Sequence, residues 1–214
     1  MKKQCSVLVV LLAICSLGNL YAQKIGLRAG LNFANMLMKD KDETYSDDFN
    51  SRLAYHIGPV AEFQMCSRSS LETGILLSSK GYKWEVGENK VTFSPMYFQI
   101  PVNVRFFMPV GDMKPFLLAG PYLGYGIGGK GKNENGTTEE NDIKWGNDKK
   151  KDDLKPLDFG LNFGFGIVLP FGLEANAFYE LGLGNAVIDP ENGAKVQNRV
   201  FGLSLAYKYD LKKK

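Results

Sequence analysis

Residues 24–36 read Lys-Ile-Gly-Leu-Arg-Ala-Gly-Leu-Asn-Phe-Ala-Asn-Met. Ile25, Leu27, Ala29, Leu31 and Phe33 fall on one face, and Gly26, Arg28, Gly30 and Asn32 on the other. A helix would scatter these residues around its axis, whereas the period of two in a strand sorts them. The stretch is predicted as a β-strand with one bulky apolar face and one small or polar face.

The sorting recurs along the chain. In 52–63, Leu53, Tyr55, Ile57, Ala61 and Phe63 oppose His56, Gly58, Val60 and Glu62. In 71–82, Leu71, Thr73, Ile75 and Leu77 oppose Glu72, Gly74, Ser78 and Lys80. The same alternation marks 96–106, 116–128, 157–169, 172–184 and 198–209. Each segment is long enough to cross a bilayer as a tilted strand of about 9–11 residues. The segments 37–51, 83–95, 129–156 and 185–197 are long and polar, while 64–70, 107–115 and 170–171 are short. Long loops on one side and short turns on the other mark an outer-membrane barrel. The expected fold is all-β: an eight-stranded, antiparallel, up-and-down transmembrane β-barrel with both termini on the short-turn, periplasmic side.

Composition agrees. Of 214 residues, 24 are Gly and 12% are aromatic, so glycine exceeds its usual share of about 7% without a collagen period. No internal segment carries the run of about 18 apolar residues that a helical span needs. The net charge of +3 falls to +1 without Lys2 and Lys3, which gives nucleic-acid binding no electrostatic support. Lys2 and Lys3 precede an apolar run, Val7 to Leu17, and Ala22 precedes Gln23. This is the pattern of a cleavable signal peptide at 1–22, leaving a barrel domain at 23–214. Cys5 and Cys15 leave with it, so Cys66 has no internal partner for a disulfide.

A narrow barrel has interior room for side chains and little else. Glycines such as Gly26, Gly30, Gly58, Gly120, Gly160 and Gly202 suit that side, and the Phe, Leu, Ile and Tyr faces suit lipid. Tyr55, Tyr125 and Phe159 are expected in an aromatic girdle at one end, and Phe63, Phe106, Tyr207 and Tyr209 at the other. The inward charges Arg28, Glu62, Glu72, Arg105, Glu174, Glu180 and Lys208 are expected to pair as a lumen network, with Lys80 and Glu180 higher up. Unpaired charges in a confined core would cost several kcal/mol each, roughly. The competing reading is a charged permeation path. Pro59, Pro101 and Pro121 each remove a ladder donor inside a strand, so bulges or kinks are expected there.

Six stretches carry a resemblance: Gly26-Leu27-Arg28-Ala29-Gly30-Leu31-Asn32, Tyr97-Phe98-Gln99-Ile100-Pro101-Val102, Leu118-Ala119-Gly120-Pro121-Tyr122-Leu123-Gly124, Leu157-Asp158-Phe159-Gly160, Gly182-Leu183-Gly184-Asn185 and Leu203-Ser204-Leu205-Ala206-Tyr207-Lys208-Tyr209. In order and spacing, over residues 24–209, they resemble the PorT-like outer-membrane β-barrel family (outer membrane protein β-barrel domain). The resemblance implies an integral outer-membrane barrel. The family's namesake takes part in secreting proteins to the cell surface, a role that fold alone does not transfer. The family often carries Arg before Tyr in strand seven; here Phe178 precedes Tyr179.

Catalytic chemistry finds little support. His56 is the only histidine, and alternation turns it inward, toward neighbours such as Asn32 or Ser78. One His and one Cys cannot supply a zinc site, so no metal or cofactor is expected. The glycine run 124–129 lies in a strand with no helix behind it and is no phosphate cradle. The third long loop, 130–155, carries many charges around Trp145. It reads as a solvated, mobile surface loop, or as a partner contact centred on Trp145. Asn135-Gly136-Thr137 fits a glycosylation sequon and a hairpin tip, and the hairpin is favoured. The expected role is non-enzymatic: a monomer in the outer-membrane bilayer that stabilises the envelope or displays its loops. The alternatives are an accessory of a protein-secretion machine, with an envelope or secretion partner, and a membrane-embedded enzyme.

Overall fold

The computed structural model describes residues 22–39, 50–87, 89–135, 137–188 and 194–211. The segment expected to be a signal peptide lies, up to residue 21, outside the described residues. The strands are β1 (Lys24–Lys39), β2 (Arg52–Cys66), β3 (Ser69–Gly74), β4 (Leu76–Ser79), β5 (Tyr82–Val86), β6 (Asn89–Phe107), β7 (Lys114–Asn135), β8 (Thr137–Asp142), β9 (Leu157–Val168), β10 (Leu173–Gly182) and β11 (Lys195–Asp210).

Every pairing between these strands is antiparallel, and the pairings close on themselves. β1 pairs with β2 on one side and with β11 on the other, from Lys24↔Asp210 to Lys39↔Lys195. β11 pairs β10, β10 pairs β9, β9 pairs β7 and β7 pairs β6. β3 and β4 each lie between β2 and β6 and share one place in the ring. The ring therefore runs β1, β2, β3 with β4, β6, β7, β9, β10, β11. A closed ring leaves no edge exposed to lipid, which is the condition for a sheet to cross a bilayer.

Against the eight strands expected, the described residues form an eleven-stranded sheet, with β3 and β4 sharing one place in the ring and β5 and β8 paired at its rim. The strand expected at 71–82 is broken at Ile75. Its register is the same on both sides of the break, Val60↔Gly74 and Ile57↔Leu77, which puts Pro59 opposite Ile75. The Ile75 N–H donates to the Pro59 carbonyl at 3.1 Å, but Pro59 has no N–H to return. On the other flank Pro101 withholds its donor too, and the Thr73 hydroxyl donates to its carbonyl at 2.8 Å. The expected bulges at the prolines are thus gaps in the ladder without a shift of register. The register shifts lie elsewhere, between Met96 and Tyr97 and between Gln64 and Cys66.

Of the expected loops, 83–95 is largely strand and 129–156 is strand over its first half. Residues 83–95 form a hairpin of β5 with the start of β6, from Val86↔Asn89 to Tyr82↔Phe93. β7 runs on to Asn135, and β8 returns against it with Thr137 opposite Asn135. The reversal falls where the hairpin tip was expected; Gly136 itself lies outside the described residues. Above the membrane band these segments thus form one small sheet, β5–β6–β7–β8. Over 130–142 the loop expectation is thus corrected to an exposed hairpin, whereas 143–155 is irregular apart from isolated bridges.

Orientation follows from exposure. On the outer surface Leu27 is 62% exposed, Phe165 64% and Leu205 60%, whereas Arg105, Glu72 and Lys80 are 0% exposed. Bulky apolar side chains outside and charges inside invert a soluble core, and only a lipid surrounding stabilises that arrangement. Tyr55, Tyr125 and Phe159 are exposed toward the long-loop end, and Phe106, Tyr207 and Tyr209 toward the short-turn end, where girdles belong.

Candidate functional site

The lumen is built in tiers. At the short-turn end Phe107, Phe116 and Leu118 form an apolar floor, with Val168 packed against it. These inward side chains correct the expectation that bulky apolar groups face only lipid. They sit where alternation continues into the strand ends, beneath the charges.

Above the floor, six strands each contribute one charge. β1 gives Arg28, β2 Glu62, β3 Glu72, β6 Arg105, β10 Glu174 and β11 Lys208. Arg105 reaches Glu62 at 2.7 Å, Glu174 at 2.8 Å and Glu72 at 3.2 Å. Arg28 reaches Glu72 at 2.8 Å and Glu174 at 3.1 Å. Lys208 reaches Glu62 and Glu174 at 3.0 Å, and also pairs with Glu72. The Arg105 guanidinium lies 3.8 Å from the centre of the Phe116 ring, so the aromatic floor also holds a cation. Glu62 and Glu72 stand directly opposite each other across β2 and β3. Like charges so placed repel, and the cations arriving from β6 and β11 make the pair tenable.

Carboxylate oxygens of Glu62, Glu72 and Glu174 all lie within 4.8 Å of one another, a spacing suited to a metal ion. Arg28, Arg105 and Lys208 already supply three positive charges there, so the group is neutral without one.

The middle tier is polar. The His56 Nδ1–H donates to the Asn32 side-chain oxygen at 2.8 Å, which leaves Nε2 to accept from the Ser204 hydroxyl at 2.8 Å. Asn32 in turn donates to the Ser78 hydroxyl at 3.2 Å and to the Ser79 carbonyl at 3.0 Å. Gly30 is required beside this ring, because a Cβ there would lie 2.6 Å from His56 Cε1. Phe178 packs edge-on against His56, with ring centroids 5.4 Å apart, over Gly202. The cavity between Arg28, His56, Gln99 and Asn176 is about 20 Å³, room for about one water molecule.

The upper tier centres on Lys80, which reaches Asp158 at 3.0 Å and Glu180 at 2.9 Å. Gln99 donates to the other Glu180 oxygen at 2.5 Å. The Lys80 ammonium lies 4.2 Å from the Tyr122 ring centre and 5.4 Å from that of Tyr97. The structure thus separates Glu180 from the lower cluster and joins it to Lys80. Asp158, the only charge on the inward face of β9, is the partner that sequence reasoning left out of the network.

Trp145 closes the long-loop end. Its indole is half-buried, packs edge-on against Tyr97 at 5.2 Å and donates to the Gly128 carbonyl at 3.2 Å. Gly126 leaves the space the indole fills. Ile143, Leu154 and Ala186 are buried beside it. The ring named as an alternative partner contact thus packs half-buried over the long-loop end of the barrel.

A closed antiparallel ring with lipid-facing apolar staves and a charge-filled interior defines an integral outer-membrane barrel. The sequence profile of the outer membrane protein beta-barrel domain matches residues 21–187, and the chain belongs to that family. It resides in the outer membrane, within the lipid bilayer. Similar solved structures include Ail, the attachment invasion locus protein of Yersinia pestis, at 12% identity and TM-score 0.41, covering 88% of this chain and 100% of that one. Neisserial surface protein A is 12% identical at TM-score 0.42, over 86% of this chain and 97% of that one. The N-terminal barrel of Pseudomonas aeruginosa OprF is 10% identical at TM-score 0.35, over 88% and 98%. No curated protein matches the chain in sequence.

Proposed function

We propose that this protein is a non-enzymatic, monomeric barrel with a sealed lumen, exported by way of a signal peptide at 1–22, that stabilises the envelope and displays its β5–β6 and β7–β8 hairpins. The observation that carries this reading is the cluster of Arg28, Arg105 and Lys208 with Glu62, Glu72 and Glu174, whose members touch one another directly and span the lumen. An enzyme reading loses His56 as a free base, because both of its nitrogens are engaged and the ring is 2% exposed. The test is conductance across a planar bilayer containing the purified protein. A sealed lumen gives no unitary steps; reproducible single-channel steps from the wild-type chain would overturn it and favour the permeation reading.

The second reading is a PorT-like accessory of a secretion machine. It draws on the resemblance of the six stretches quoted above and on the two hairpins that stand clear of the barrel. Crosslinking in native membranes separates the two readings. A secretion component recovered through a hairpin position favours the accessory role, and recovery of lipid alone favours the structural one.

A further inference from the structure

Three cations project from the outer wall at its long-loop end. Lys39 stands opposite Lys195, and Arg199 stands opposite Asn35 on β1 and Leu181 on β10. Asn198 and Val200 are buried in the lumen, so alternation turns Arg199 outward. None of the three cations pairs with a carboxylate among the described residues. Arg199 instead donates to neutral acceptors: the Gly182 carbonyl at 2.6 Å, the Asn198 carbonyl at 2.9 Å and the Gln197 side chain at 3.0 Å. These bonds fix the guanidinium without neutralising it. The cations of the nearby hairpins differ: Lys83 pairs with Glu85, Lys130 with Glu140 and Lys132 with Glu134.

The depth of the patch is as telling as its charge. One outward residue nearer the bilayer centre, Phe201 faces Phe33 and Tyr179, with the two phenylalanine centroids 6.1 Å apart. Arg199 therefore marks the level where the aromatic girdle ends and lipid headgroups begin. A surface groove of about 400 Å³ runs there, lined by Phe33, Leu37, Ser51, Tyr179, Arg199 and Phe201. Among the described residues Arg199 is the one cation in its lining, Lys39 and Lys195 stand beyond it toward the loops and aromatic rings lie below, an arrangement that matches an amphiphile with an anionic head.

We propose that this groove binds the phosphorylated headgroup of a lipid in the leaflet at the long-loop end. Arg199 presents its fork to the phosphate, Lys39 and Lys195 add charge, and the acyl chains descend over Phe33 and Phe201. The aromatic lower half commits the site to a lipid and not to free phosphate. The inference rests on the chain's place in the outer membrane and is independent of the role proposed above.

The test uses the full chain in neutral detergent micelles doped with bisphosphorylated lipid A, its dephosphorylated form, or inorganic phosphate, with bound lipid counted by native mass spectrometry. The wild-type chain should retain the phosphorylated lipid over the dephosphorylated one. Retention should fall about fivefold for each of Arg199→Gln, Lys39→Gln and Lys195→Gln, as about 1 kcal/mol per surface cation implies. Lys132→Gln, on the hairpin, should leave it unchanged. Folding of each variant is read independently from gel mobility without heating. Equal retention of the two lipids would overturn the proposal. Undiminished retention by folded Arg199→Gln would also overturn it. Inorganic phosphate that binds alone and displaces the lipid would overturn the commitment to a lipid.

Discussion

Replacing Arg105 with methionine tests the lumen cluster directly. The substitution keeps an apolar stem over Phe116 and deletes the charge that touches Glu62, Glu72 and Glu174 at 2.7, 3.2 and 2.8 Å. Three carboxylates then face Arg28 and Lys208 inside the lumen, with the partly exposed Lys24 reaching only Glu62, at 3.8 Å, so one negative charge is left without a buried partner. Breaking a buried pair from one side costs about 3–5 kcal/mol. Adding Glu62→Gln restores the balance among the buried charges, because among the described residues Glu62 meets Arg105 and Lys208 and otherwise only the partly exposed Lys24, at 3.8 Å. The double variant should therefore sit within about 1–2 kcal/mol of wild type, well below the sum of the two single costs. The assay is urea unfolding of the protein in phospholipid vesicles, followed by the mobility of folded and unfolded forms on unheated gels and extrapolated linearly. A single-variant cost under about 1 kcal/mol would mean that water reaches the cluster and screens it. A double-variant cost equal to the sum of the singles would mean that the charges do not act together.

Three further outcomes follow from local geometry. Gly30→Ala drives a Cβ against the Leu203 carbonyl and the His56 ring, and should lower stability by about 1–3 kcal/mol in the same titration; an unchanged urea midpoint would contradict the close approach. Phe171, 94% exposed and held at φ 68° in the turn 170–172, should gain roughly 0.5–1 kcal/mol on replacement by Gly, which adopts that backbone without a Cβ clash; a loss of stability would show that the ring has a contact of its own. At the short-turn end the Ser69 hydroxyl and nearby backbone donors pull the Cys66 thiol below its ordinary value. A lowered pKa means more thiolate at neutral pH, so Ser69→Ala should slow maleimide alkylation near pH 7 and converge with wild type above about pH 10; equal rates at pH 7 would remove the effect.

The barrel staves were legible because two surroundings constrain them at once. Lipid selects Leu27, Leu31 and Phe33, and the crowded lumen selects Gly26, Gly30 and Asn32, so the period of two is written strongly. The hairpins 82–94 and 130–142 have water on much of both faces. Nothing there enforces alternation, and Glu139, Glu140 and Asn141 read as loop although they form a strand. The inward charges were legible by parity, but their partners were not. Parity tells which face Glu180 and Asp158 occupy, whereas stagger between strands decides that Lys80, just past the end of β4, falls between them. Trp145 lay beyond reach for a related reason: its place depends on the space at Gly126 and on Tyr97, both remote in sequence.

The lower cluster poses a question of purpose, since apolar residues of equal volume would often be as stable as buried ion pairs. A barrel adds a constraint that a soluble core lacks. If the inner face were apolar too, each strand would be greasy on both sides, and a one-residue slip would cost little. With Arg28, Glu62, Glu72, Arg105, Glu174 and Lys208 on six strands, a slip in any one of them turns a charge into lipid and strands its partners in the lumen. The cost of a charge at the bilayer centre is roughly 2–4 kcal/mol on a barrel surface, and the orphaned lumen charge adds its own penalty. The opposed Glu62 and Glu72 sharpen the point, because their pairing is unfavourable until β6 and β11 arrive with Arg105 and Lys208. β2 and β3 alone thus gain little from this register, and the closed ring gains most. These costs make the ion pairs a means of specifying the register at which the ring closes, while lipid contact on the outer face and the closed ladder supply the stability.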